Sequence, residues 1–157
     1  MKCVIYTSNA LQDFDSETLR KLAMDAARQN ASNDITGYLF YESNKFFQYI
    51  EGNVKDIDNL TFRLRGDERH RIIQHYSEIR QEERRFPHWS MLLNPSNTTD
   101  YHHIEKLLIS HLLILHERYI DIKKWSCNVW QEMDKLALFH RIHTVTPRYG
   151  EFMISTN

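Results

Sequence analysis

The placement of glycine and proline constrains this chain more than any other feature. Four Gly and three Pro occur, at Gly37, Gly52, Gly66, Pro87, Pro95, Pro147 and Gly150. Residues 96–146 contain neither. Gly opens the backbone conformations that turns need, and Pro ends helices. A long stretch without either reads as helix, whereas the punctuated stretch before Pro95 reads as short elements joined by turns. The chain therefore divides near Pro95, into residues 1–94 and 95–157. With 157 residues, 41% of them hydrophobic, it can form a core of ordinary size, and wholesale disorder is excluded.

Charge and cysteine content narrow the class. Lys+Arg total 20 and Asp+Glu 21, a net charge of −1, which argues against a dedicated nucleic-acid binder. Cys3 and Cys127 are too few for a disulfide framework, so a reducing compartment is expected. No run of about 18 apolar residues occurs, and the apolar stretch in the opening MKCVIYTSN is too short for a secretory signal. The expectation is a cytoplasmic protein with no membrane or nucleic-acid partner.

Residues 2–8, KCVIYTS, read as a strand with Val4, Tyr6 and Ser8 on one face and Cys3, Ile5 and Thr7 on the other. Asp13, Asp15 and Ser16 offer caps for a helix whose apolar face carries Leu19, Leu22, Ala23, Ala26 and Ala27. The small residues there leave room for a flat group, although Ala is also simply a good helix former. QNASND, residues 29–34, reads as the helix exit. ITGYLFYE and KFFQYIEG read as a hairpin turning at SN, with Phe46, Gln48 and Ile50 on one face of the second strand. A buried Gln48 would need partners for both ends of its amide.

Asn53 caps a second helix, with Asp56 placed as in a capping box and Val54, Ile57, Leu60 and Leu64 as the apolar stripe. Gly66 ends it. Arg69 and His70 then fall in a loop, a strand covers 71–80, residues 81–88 form a charged turn, and 89–93 make a last short strand. Strand, helix, strand, strand, helix, strand, strand is the order of a ferredoxin-like βαββαβ sheet. It predicts an α+β fold with an added strand, two helices on one face, and C-terminal helices beyond.

Particular residues then become specific. Tyr6 and Ser8 stand in the first strand, Asn30 at the helix exit, then Ile35-Thr36-Gly37 and FFQYIEG from Phe46 to Gly52. Asp67, Arg69 and His70 follow, then Arg85 and Phe86 before Trp89, Ser90 and Met91. In this order and on these elements, residues 2–93 resemble a BLUF domain, the blue-light sensor module that uses FAD. The resemblance implies that Asn30 bonds the polar edge of the flavin ring. Arg69 and His70 line the ring and its ribityl or phosphate side. Phe46, Ile35 and Ile50 flank the ring. It also implies that Tyr6 donates an electron and a proton to the excited flavin, and that Gln48 bridges Tyr6 and the flavin and rearranges its hydrogen bonds. Trp89, Ser90 and Met91 belong to a strand whose register reports the change. Ser8, Trp89 and Met91 join Tyr6 and Gln48 as photoactive candidates, Trp89 because a second oxidisable side chain can compete as donor. Gln29 departs from the His that some members carry there, which bears on flavin affinity or tuning.

In the back part a 4-3 spacing runs through Leu108, Leu112, Leu115, Tyr119, Ile122, Ser126, Val129, Met133, Leu136, His140 and His143. Two arrangements fit: one long coiled-coil helix, or two helices folded back on the open face of the sheet with a break near residues 121–124. The second, supporting a homo-oligomer, is the expectation. His140 and His143 stand three apart, but no Cys or carboxylate completes a metal set, and no metal is expected. The tail from 146 on is expected to be loosely ordered. The length after residue 94 is small for an enzymatic output domain. The reading is a non-enzymatic photoreceptor signalling through a protein partner or a change of oligomer; the alternative is a light-independent flavin-binding scaffold.

Overall fold

The computed structural model describes residues 1–95, 103–116 and 120–143. Strand β1 (Lys2–Ala10) leads to helix α1 (Ser16–Ala31). Asp15 is its N-cap and accepts from the Thr18 backbone N–H at 2.8 Å. The helix runs further than its polar exit suggested, so Gln29 and Asn30 sit in the last turn. Ser32 Oγ and Asn33 Nδ2 then donate to the Gln29 carbonyl at 2.8 and 2.7 Å, closing the end.

Strands β2 (Thr36–Glu42) and β3 (Lys45–Gly52) form the expected hairpin. Ser43 and Asn44 carry φ of 50° and 62°, the left-handed pair that a two-residue hairpin turn needs. Helix α2 (Val54–Arg65) is capped by Asn53, whose side chain accepts from the Lys55 N–H at 3.0 Å, and ends at Gly66. Ile57 and Leu60 are buried, but Val54 stays exposed at the start of the first turn.

Strand β4 (His70–Ile79) begins one residue earlier than the sequence indicated. His70 pairs with Ala10 in the sheet and is not a loop residue. Strand β5 (Leu92–Pro95) begins later than 89. The Trp89 N–H bonds to the Phe86 carbonyl across a turn containing Pro87, so the chain straightens only beyond Met91.

The sheet order is β4-β1-β3-β2-β5, antiparallel except for the parallel β2–β5 pair. This is the ferredoxin-like arrangement with an added strand. Helices α1 and α2 cover one face, with Val4, Leu39, Phe46 and Ile50 beneath them. On the other face Cys3, Ile5, Tyr38, Phe40, Phe47 and Tyr49 share a core with helices α3 (His103–Leu113) and α4 (Ile122–His143).

The back part is therefore two helices folded on the sheet and not one coiled coil. After α3 the chain tightens into a 3-10 turn at Ile114–His116. Asp121 then caps α4, accepting from the Lys124 N–H at 3.1 Å. Leu108, Leu112, Val129, Met133, Leu136 and His140 are buried as the 4-3 spacing predicts, and Ile122 is exposed. Tyr119, the side chain of His143 and the tail lie outside the described residues. Trp125, Trp130 and Ala137 are also buried, because a straight helix on a sheet follows a period of 3.6 and buries a broader stripe than a coiled-coil seam.

Candidate functional site

A cavity of about 450 Å³ opens between α1 and α2 on the front face of the sheet. That lies within the usual range for small-molecule sites. Its floor is Tyr6 of β1, Leu39 of β2, and Phe46 and Gln48 of β3. Leu22, Ala26 and Asn30 of α1 form one wall, and Leu60, Arg63 and Leu64 of α2 the other. Phe14, Asp67, Arg69 and His70 also line it. Ala26 adds almost no side-chain bulk to its wall.

The central contact follows from strand register. Tyr6 and Gln48 are directly opposite each other on β1 and β3. The Tyr6 hydroxyl donates to Gln48 Oε1 in a short hydrogen bond. Gln48 Nε2 in turn donates to Met91 Sδ at 3.6 Å. Both ends of the buried amide are thus engaged, one by a phenol and the other by a thioether, a weak acceptor. Burial pushes the Tyr6 phenol far above its ordinary value, the charge of Asp67 adds to this, and Arg69 opposes it. The hydroxyl therefore keeps its proton across the working pH range.

The surrounding groups are fixed by their own partners. Asn30 Nδ2 donates to the Ser90 carbonyl at 2.8 Å, tying the end of α1 to the segment before β5. The His70 ring stacks on Tyr6, with centroids 5.9 Å apart and planes at 15°. Burial, reinforced by Arg69, pushes the His70 imidazole below its usual value, against the pull of Asp67. Its Nδ1 is buried without a hydrogen-bond partner among the described residues. Arg69 and Asp67 form a forked ion pair, Nε to Oδ1 at 2.9 Å and Nη2 to Oδ2 at 2.6 Å. The hydrogen bond between them lowers the carboxyl and raises the guanidinium.

The structure gathers Tyr6, Asn30, Phe46, Gln48, Arg69 and His70 around one space. Ile35 and Ile50 belong to the same front core without lining the cavity. Ser8 is buried on β1 and does not line it either. Met91 is in the front core, in contact with Gln48. Trp89 lies in the back core against Phe86, across the sheet from Tyr6. Asp25, Arg28 and Arg63 line the cavity as well, and sequence reasoning missed them, since charges on a helix read as a solvated face.

A flat aromatic ring suits this space. The floor and walls are largely apolar, while an amide, an imidazole with an unmet nitrogen and several charged groups provide polar contacts. Such an arrangement defines a ligand-binding module whose cavity floor carries a hydrogen-bonded Tyr–Gln pair. Residues 1–92 match the family described as BLUF, sensors of blue-light using FAD, and the chain belongs to that family.

Solved structures agree with this fold. A bacterial light-regulated adenylyl cyclase superposes with a TM-score of 0.61 at 25% identity, over 71% of this chain and 33% of that one. The chain thus spans about a third of the cyclase's length. The photo-activated state of BlsA gives 0.59 at 23% identity, covering 88% and 96% of the two chains. The dark state of BlrB, a BLUF protein, gives 0.55 at 23%, covering 92% and 96%. No curated protein sequence matches the chain.

Proposed function

We propose that this chain is a blue-light receptor that holds FAD in the front cavity and uses the Tyr6–Gln48 pair as its switch. The observation that carries the proposal is the continuous chain from Tyr6 Oη to Gln48 on the cavity floor and on to Met91 Sδ in the front core. When bound, the flavin supplies absorption of blue light and an excited state that oxidises a nearby phenol.

The residues of the chain do the rest. Asn30, Arg69 and His70 offer the polar contacts that orient the ring and its side chain, with Phe46 against it and Ile35 and Ile50 packed behind. Tyr6 holds a proton at Oη and offers it toward Gln48. A primary amide can exchange its donor and acceptor ends, so Gln48 has two hydrogen-bond arrangements available within one cavity. A buried group with two arrangements is the two-state element that a switch requires.

Output through contact with another protein, or through a change in oligomer within the cytoplasm, fits the surface. Leu138 and Ile142 are exposed one turn apart on α4, and among the described residues no helix is long and apolar enough to cross a membrane. The test is the absorption spectrum of the purified protein in the dark, after blue light and during dark recovery. A flavin spectrum with a small reversible red shift is expected. A flavin band that only bleaches, or no flavin after reconstitution with FAD, would leave a light-independent scaffold.

A further inference from the structure

Glu105 is a carboxylate that the proposed photochemistry does not use. It lies in the first turn of α3 and is 0% exposed, a rare place for an acidic side chain. Its Oε1 accepts from the Tyr38 hydroxyl at 2.5 Å and from Asn94 Nδ2 at 2.8 Å. Tyr38 belongs to β2 and Asn94 to β5, so one oxygen attaches α3 to both strands of the parallel pair. Its Oε2 meets no donor among the described residues. A buried polar cluster satisfied on one side only is sensitive to small displacements.

The same segment reaches the opposite face. Leu93 faces the front core, whereas Leu92 and Asn94 face the back. Met91, just ahead of the strand, lies in the front core and accepts from Gln48. Three residues, roughly 10 Å of extended chain, therefore separate the contact with Gln48 from the contact with Glu105.

We infer that Glu105 is the joint through which the state of Gln48 reaches the back-face helices; this rests on the photoreceptor reading above. In the arrangement of the structure, Gln48 holds Met91 and Asn94 holds Glu105. When the Gln48 amide rearranges and gives up Met91, β5 is released, Asn94 withdraws from Oε1, and α3 keeps Tyr38 but loses its tie to β5. Coupling is reciprocal, so the Asn94–Glu105 bond biases Gln48 in return. Glu105 is a positioning residue, acting on the switch only through β5.

The test uses the flavin-loaded full chain as wild type, Asn94→Leu, Glu105→Leu and Glu105→Gln. Two quantities are read: the dark-recovery rate of the absorption shift, and hydrogen exchange of α3 amides in darkness and under light. Both leucine variants are expected to keep the shift, since neither position lines the cavity. Their recovery rate changes about fivefold, the loss of one ordinary hydrogen bond from one of the two states, and α3 exchange no longer responds to light. Glu105→Gln still accepts both bonds through Oε1 and restores both readouts. Asn94→Leu cuts only the tie to β5 and decides the matter if Glu105→Leu does not fold. Asn94→Leu recovering within about twofold of wild type, with α3 exchange still responding to light, overturns the joint. A wild type with no reversible shift overturns instead the photoreceptor reading beneath it.

Discussion

Tyr6 and Gln48 acquire their relation from two elementary facts, the alternation of side chains along a strand and the pairing of β1 with β3. Tyr6→Phe keeps the ring and loses the transferable proton. It is expected to bind flavin and show no light-induced shift by absorption spectroscopy; a retained shift would move the donor role to another side chain. Gln48→Leu removes the exchangeable amide and is expected to bind flavin without a normal signalling state. A normal photocycle in that variant would remove Gln48 from the switch. His70 gives a separate prediction from its depressed pKa. The unfolded chain binds a proton at His70 at a higher pH than the folded chain does, so stability rises with pH through this window. The melting temperature should fall as pH drops below about 6.5, the ordinary histidine value. His75, also pushed down by burial and by Arg65, adds to the trend. Flat melting temperatures from about pH 7.5 to about pH 5 would contradict this.

At the scale of elements, β2 is held where only glycine fits. A Cβ on Gly37 would stand 2.4 Å from the Tyr49 carbonyl oxygen of β3. The Gly37 N–H also donates to the Trp89 carbonyl at 3.1 Å, which positions the segment leading to β5. Gly37→Ala should cost about 2–3 kcal/mol, read as a lower midpoint in denaturant. An unchanged midpoint would mean that β2 can shift without loss. Elements whose pattern is local were legible in the sequence. The alternation in β1 separated Val4 from Cys3 and Ile5 correctly, and the Ser43–Asn44 turn fixed the hairpin. The contact of Tyr6 with Gln48 was implied by the family resemblance; the alternation only permitted the two side chains to share a face. What depended on distant contacts was not legible. His70 joins β4 because Ala10 lies beside it, and Trp89 turns to the back core because Phe86 and the folded helices are there. The cavity charges Asp25, Arg28 and Arg63 could not be told from surface charges until the two helices were set side by side.

In the whole molecule, one sheet separates two cores. The front core borders the cavity, and the back core carries α3 and α4. On the back face, buried Glu51 anchors the segment that leads to β5. It accepts the backbone N–H groups of Arg85 and Phe86 at 3.0 and 2.8 Å, while Arg85 Nε reaches Asp134 of α4 at 2.6 Å. Because α4 packs on the strands that carry the switch, damage to its core should be felt across the molecule. Leu136→Ala is expected to cost about 2–5 kcal/mol and to lower helix melting and flavin release together, followed by circular dichroism and flavin fluorescence. Flavin release at the wild-type temperature would show that the back core melts independently. The β1–β3 register has a further consequence. A slip of one residue would turn Tyr6 toward α4 and leave no phenol beneath the cavity. Donor and amide are therefore either face to face or apart, with no backbone positions between. Gradual adjustment of such a receptor has to come from exchanging neighbours such as Met91 and His70, while the strands that hold the pair stay locked in step.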